Sequence, residues 1–359
     1  MGDGWIEHAC RLPSPAHYQR ALLRQSQLTK PLGALGRLEN IAVDLAALQS
    51  RDRPCARHVP IIVFAGDHGV VAHGVSAYPA EVTVQMLHNF ASGGAAISVL
   101  ARELDVPLRL VDAGTLSSTP IAGVHVDKPC LGSHDFSTGA AMSLAELAHA
   151  LAAGRRAVEA VLAETNTRPD LLVLGEMGIG NSTAASALAC AVDGLPCIEL
   201  VGAGSGLDEE RIAHKRRLIE MALTLHRPSI AAAATPALEA VRRLGGLEIA
   251  AVTGAMIAAA QHGIGVLVDG FIVSVAALVA VRINPAARAW MLFSHRSAER
   301  GHAQVLRALE AEPLLQLELR LGEGSGAALA ILLLRMACAL HNDMATFAEA
   351  DVSNRKATP

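Results

Sequence analysis

The chain has 359 residues. That is enough for one large domain with a smaller appendage, because a single hydrophobic core stops growing at roughly 250–300 residues. A composition of 52% hydrophobic and only 3% aromatic residues describes a core of Ala, Val, Leu and Ile, suited to helices packed closely on a sheet, while a formal net charge of -4 provides no basic field for a nucleic-acid partner.

The opening stretch, MGDGWIEHACRLP, has no basic segment followed by an apolar one, and Ile6 breaks the myristoylation pattern. The most apolar tracts, 271–281 and 327–340, carry an Arg inside or beside them and fall short of the ~20 residues of a spanning helix. Buried helices in a cytoplasmic protein, with no membrane partner, are therefore expected. Cys10, Cys55, Cys130, Cys190, Cys197 and Cys338 show no C-x-x-C spacing, so reduced and mostly buried thiols are expected, and no zinc knuckle.

Residues 1–40 read as helical. From about residue 59 to about 340, short apolar runs ending in Gly, Asp or Asn alternate with longer Ala-rich amphipathic stretches, the signature of successive βαβ units. Strands are expected at 60–65, 107–112, 171–174, 197–201 and 265–268, with weaker patterns at 289–293 and 316–321. The expected fold is α/β, a Rossmann-like, mainly parallel sheet flanked by helices, with a small helical domain formed from both termini. Residues 41–295 would form the large domain, and 1–40 with 296–359 the small one. In such sheets ligands sit beyond the carboxyl ends of the strands, so functional residues should follow each strand directly.

The first such loop is FAGDHGVVAHGVSAYPAEVTVQ (64–85). Asp67, His68 and His73 match no compact metal-ligand spacing such as H-E-x-x-H, which favours hydrogen bonding and no metal. Ser76, Tyr78, Gln85 and Met86 are suited to line a pocket for a flat, mostly apolar ring. Next, LLVLGEMGIGNSTAAS (171–186) spaces its glycines as a phosphate loop but puts Asn181 where a lysine would stand. Its backbone N–H groups and helix dipole suit a monophosphate better than a triphosphate, although a tight βα turn needing glycine for close packing explains a single loop of this kind equally well. VGAGSGLD (201–208) is a second glycine loop, followed by a helix carrying Lys215. Two anion-type loops in succession, with one lysine to supply the missing charge, make a shared phosphate site credible, while Asp208 could be only an N-cap and Lys215 only a solvated side chain. Finally LGEGSGAA (321–328) presents Glu323 between glycines ahead of an apolar helix, a position that favours the ionised carboxylate but also suits a simple capping role.

These blocks, together with LTKPLGALGRLE (28–39), LVDGFIVS (267–274), SHRSAERGH (294–302) and DMATF (343–347), resemble the nicotinate-nucleotide:dimethylbenzimidazole phosphoribosyltransferase family over nearly the whole chain and in the family's order. The resemblance implies transfer of phosphoribose from nicotinate mononucleotide to 5,6-dimethylbenzimidazole in assembly of the cobalamin nucleotide loop, by a homodimer without cofactor. It puts the general base at Glu323 and a second active-site glutamate at Glu176. Phosphate and nucleotide binding fall on Gly178, Gly180, Asn181, Gly204, Ser205 and Lys215, and base binding on Ser76, Gln85 and Met86. The sequence departs from the family at Leu32, Ala34, Ser205 and 132–142, and at Ala203, where an arginine is common.

Two other readings compete. A dinucleotide oxidoreductase would need G-x-G-x-x-G after the first strand, where AGDHG stands instead. A non-catalytic nucleotide sensor on the same loops would leave Glu323 without a role.

Overall fold

Four of the apolar runs form the interior of the sheet because they are buried on both faces, as parallel strands covered by helices must be. In the computed structural model, which describes residues 4–164, 168–204 and 206–353, the strands are β1 (Ile61–Gly66), β2 (Leu108–Gly114), β3 (Val124–Val126), β4 (Leu172–Met177), β5 (Val266–Val268) and β6 (Met291–Phe293). All neighbours are parallel and the order is β3-β2-β1-β4-β5-β6. The chain leaves β1 towards β2 on one side and β4 towards β5 on the other. Their adjacent carboxyl ends, with Phe64 paired to Glu176 and Ala65 to Met177, therefore open a crevice between diverging connections.

Helices α1 (Pro15–Gln27), α2 (Arg37–Gln49), α3 (Glu81–Ser92), α4 (Ala96–Leu104), α5 (Leu144–Glu164), α6 (Asn181–Asp193), α7 (Cys197–Leu200), α8 (Glu209–Ala231), α9 (Pro236–Leu244), α10 (Leu247–His262), α11 (Phe271–Ile283), α12 (His302–Ala308) and α13 (Ser325–Asp343) complete the chain. The expected boundary at residue 41 lies inside α2. Both ends of the chain clasp one another: Thr29 N–H donates to Ala345 O at 3.0 Å, and the Arg24 guanidinium to the carbonyls of His341, Asn342 and Met344. Among the described residues α13 alone is long and apolar enough to cross a membrane, and in the fold it packs against α2, α4 and β4.

Three sequence expectations need correction. Residues 197–201 contain the helix α7, because both neighbours of β4 are already β1 and β5 and Pro196 starts a helical turn instead. Residues 316–321 form no strand: the segment hydrogen-bonds to the loop after β6, through Ala298 N–H to Leu319 O at 2.8 Å, and only Leu315 bridges to His295. Two cysteines, Cys190 and Cys338, are buried, and the other four are half-buried. Strand β3, partly exposed and three residues long, has no apolar run to announce it.

The most extensive helix contact joins α5 to α10. It depends on two glycines: a Cβ at Gly154 would lie 2.6 Å from Ala255 N, and one at Gly254 2.9 Å from Leu151 Cα. Gly154→Ala should therefore destabilise the fold by ~1–3 kcal/mol or more through overpacking. Chemical denaturation reads this directly, and an unchanged midpoint would contradict such close packing.

Candidate active site

A cavity of about 410 Å³ opens at the β1–β4 crevice. One wall is the turn after β4. Gly180 adopts φ 95°, and a Cβ there would meet Val71 Cγ2 at 2.6 Å, while Gly178 is pressed against His68 and Glu248. These contacts let the turn deliver the N-terminus of α6 to the cavity, where Asn181 and Ser182 line it. Asn181 does not replace the phosphate-loop lysine, because its Nδ2 donates to Glu176 Oε2.

The missing cation is Lys215. Its Nζ, on the buried face of α8, donates to Ser182 Oγ at 2.8 Å and lies behind that hydroxyl rather than on the cavity surface. Burial pulls its pKa down to about 8, with Glu299 acting in the opposite direction. Gly204, at φ 51°, approaches the same ammonium and lines the cavity. Ser205 lies outside the described residues. Asp208 caps α8 by accepting from Arg211 N–H at 2.9 Å.

Glu323 lines the same cavity, in the left-handed region at φ 65° between Gly322 and Gly324 at 84° and 85°. A non-glycine residue in such a conformation costs about 1–3 kcal/mol. Its carboxyl is buried, and Oε2 has no partner among the described residues. Burial pushes its pKa up to about 7, and the Asp269 charge adds to this, while the Ile97 backbone N–H pulls it down. The ionised form expected from its helix N-terminus is thus not favoured. Burial outweighs the helix terminus, whose N–H groups are in any case held by Asp269, which accepts from Gly324 N–H at 3.1 Å and Ala327 N–H at 2.9 Å.

Glu176 lines the same cavity and is held well above the ordinary carboxylate range, first by burial and then by the charges of Asp269, Glu248 and Glu323; the Asn181 bond opposes this. Beneath the turn, His68 Nε2 and Glu248 Oε1 form a buried pair at 2.7 Å.

Ser76, Tyr78, Val82 and Met86 make the more apolar end of the cavity. Gln85 is exposed and is not part of the lining, because Val82 and Met86, one turn apart on α3, take the inward face. Residues 133–136 lie behind the site: Ser133 N–H donates to Asp67 O at 2.8 Å, Asp135 pairs with His73 at 2.7 Å, and Phe136 is buried. The sequence reading assigned no role to Ser182, His295, Ser297, Glu299, Phe271 or Arg320, all of which line the cavity. All but Arg320 lie within the LLVLGEMGIGNSTAAS, LVDGFIVS and SHRSAERGH blocks, and Arg320 immediately precedes LGEGSGAA.

A parallel sheet with an amide-lined anion cradle at its switch point, faced by a buried carboxyl of near-neutral pKa, describes a nucleotide-dependent group-transfer site. A family model described as phosphoribosyltransferase matches residues 10–352. The chain is 59% identical over 357 residues, covering 99% of itself and 100% of the relative, to the nicotinate-nucleotide–dimethylbenzimidazole phosphoribosyltransferase of Bradyrhizobium sp. strain ORS 278. It is 55% identical to that of Pseudomonas aeruginosa, covering 99% of itself and 100% of the relative. A crystal structure of the enzyme from Thermus thermophilus superposes with a TM-score of 0.88 at 42% identity, covering 95% of this chain and 100% of that one. The chain belongs to the nicotinate-nucleotide–dimethylbenzimidazole phosphoribosyltransferase family.

Because the Asp269 charge raises the Glu323 pKa, Asp269→Asn should move the acid limb of kcat to lower pH than in the wild type. The test is a pH–rate profile at saturating substrates. A limb that stays in place, or moves up, would contradict this electrostatic arrangement.

Proposed function

We propose that the protein transfers phosphoribose from nicotinate mononucleotide to 5,6-dimethylbenzimidazole, giving α-ribazole 5'-phosphate and nicotinate, in assembly of the cobalamin nucleotide loop. The observation that carries this reading is that Glu323 lines one cavity together with the α6 terminus and Gly204.

The leaving group is a pyridinium, so breaking its bond to C1' of the ribose returns the bonding pair to the ring and releases a neutral heterocycle without acid catalysis. The unprotonated benzimidazole nitrogen attacks C1' from the opposite face and inverts it, which converts a β-nucleotide into an α-linked product in one displacement. Positive charge then builds on the new ring, and Glu323 accepts the proton from its other nitrogen. A carboxyl with a pKa of about 7 suits this role, since a base works best when its pKa lies near the working pH. General-base help is worth ~10²–10⁴ in rate, and holding two reactants in line ~7–11 kcal/mol, so positioning supplies the larger share.

In this reading Gly178, Gly180, Ser182 and Gly204 receive the phosphate, with Lys215 behind Ser182, and Ser76 and Met86 border the benzimidazole. Glu176, whose neutral form is favoured by burial and by its acidic neighbours, is better suited to hydrogen-bond a ribose hydroxyl than to balance an oxocarbenium charge. The homodimer and the cytoplasmic location belong to the same proposal.

The test follows free nicotinate from nicotinate mononucleotide with and without dimethylbenzimidazole. Release should depend on the second substrate; binding without release would indicate a sensor, and release without the base a hydrolase. Glu323→Gln should retain nucleotide binding but lower kcat by roughly a hundredfold or more, within the general-base range. Lys215→Ala should chiefly raise KM for the mononucleotide, and a rise confined to KM for the base would overturn the phosphate assignment.

A further inference from the structure

The cavity wall around the phosphate cradle contains a carboxylate that the transfer mechanism does not use. Glu299, on the loop between β6 and α12, lines the cavity, and its Oε2 lies 3.5 Å from where a Cβ on Gly202 would stand. Two residues further along that glycine loop, a Cβ on Gly204 would lie 3.2 Å from Ser182 Oγ and 3.6 Å from Lys215 Nζ. The Glu299 loop is anchored: its N–H donates to Ser297 Oγ at 3.1 Å, and that hydroxyl donates to Leu319 O at 3.0 Å, next to Arg320. An acidic side chain therefore stands, on an anchored backbone, at the wall of a site built from glycine amides, a helix N-terminus and a lysine.

We infer that Glu299 sets the affinity for the mononucleotide phosphate, acting as a fixed like charge that weakens binding of substrate and product alike. The inference rests on the mononucleotide reading above. Its physical logic is that the phosphate lies away from the reacting bond and is carried unchanged from substrate into product. Gripping it harder would stabilise every state equally, which lowers KM without raising kcat and slows release of α-ribazole 5'-phosphate. A carboxylate beside the cradle limits that uniform binding.

The charged groups facing Glu299 come from several elements. Lys215 on α8 and Arg320 from the segment before α13 favour its ionised form, while burial opposes ionisation and raises its pKa. Glu176 on β4 and His295 after β6 line the same cavity, and Arg300 follows Glu299 in its own loop. The repulsion exists only when Glu299 is ionised, so it grows as pH rises through its titration and fades as pH falls.

The experiment measures the dissociation constant of nicotinate mononucleotide by calorimetry for the full-length wild type, Glu299→Gln and Glu299→Ala across pH. The ratio of the wild-type constant to each variant's cancels the titration of the phosphate itself. It should be smallest at the acid end of the range and rise to about tenfold towards neutral pH, as expected for removing one like charge at the edge of a partly solvated site. The comparison stops below the titration of Lys215 at about 8, because Glu299 supports the charge on that lysine. Inorganic phosphate as a competitor should show the same ordering. A ratio that stays flat would overturn the inference. So would weaker binding by both variants at every pH, the result expected if the carboxylate instead holds a ribose hydroxyl. Failure of the wild type to bind the mononucleotide would overturn the substrate reading and this inference with it, an outcome distinct from the other two.

Discussion

The site depends on the two hydrogen bonds by which Asp269 holds the first turn of α13. A helix begins with N–H groups that have no partner within the helix, and a nearby acid normally satisfies them. Because Asp269, at the end of β5, performs that task, Glu323 is free of it. Its backbone is forced into a left-handed turn between two glycines, and its carboxyl is left buried with one oxygen unpartnered among the described residues. A residue that would otherwise be an ordinary capping acid is left as a buried carboxyl of near-neutral pKa.

The same balance of charge runs through the rest of the cavity. Around the cavity, the charges of Asp269, Glu248 and Glu323 all act on the buried Glu176 and raise its pKa on top of the effect of burial. Glu248 pairs with His68 and Asp269 faces His295, whereas Glu176 has no cationic partner among the described residues and is held well above the ordinary carboxylate range. In the proposed reading, the phosphate is held by backbone amides and one buried lysine rather than by an exposed basic cluster. This explains how a chain of net charge -4 can be equipped for a phosphate ligand.

Much of this was legible in the sequence, for identifiable reasons. Strands β1, β2, β4 and β5 lie within one to three residues of their expected ends, because strands buried on both faces read as continuous apolar runs. The glycine turns were legible because Gly180 and Gly204 do adopt left-handed backbone that other residues avoid. What escaped depends on tertiary placement. Residues 197–201 look like a strand but find no free sheet edge. Gln85 shares a helix with Met86 yet faces solvent, since its burial depends on which face of α3 turns inward. The Glu323 pKa was misjudged because local sequence shows the helix terminus but not the aspartate fifty-four residues earlier that already occupies it.

The central claim is that phosphate and base are held on opposite sides of one cavity, with Glu323 beside the base. A crystal structure of the protein with α-ribazole 5'-phosphate bound tests it most directly. The phosphate should lie at the α6 terminus against Ser182 and Gly204, with the free benzimidazole nitrogen within about 3 Å of the Glu323 carboxylate, the reach of a hydrogen bond. A product bound with its heterocycle away from Glu323, or with its phosphate outside the cradle, would contradict the account.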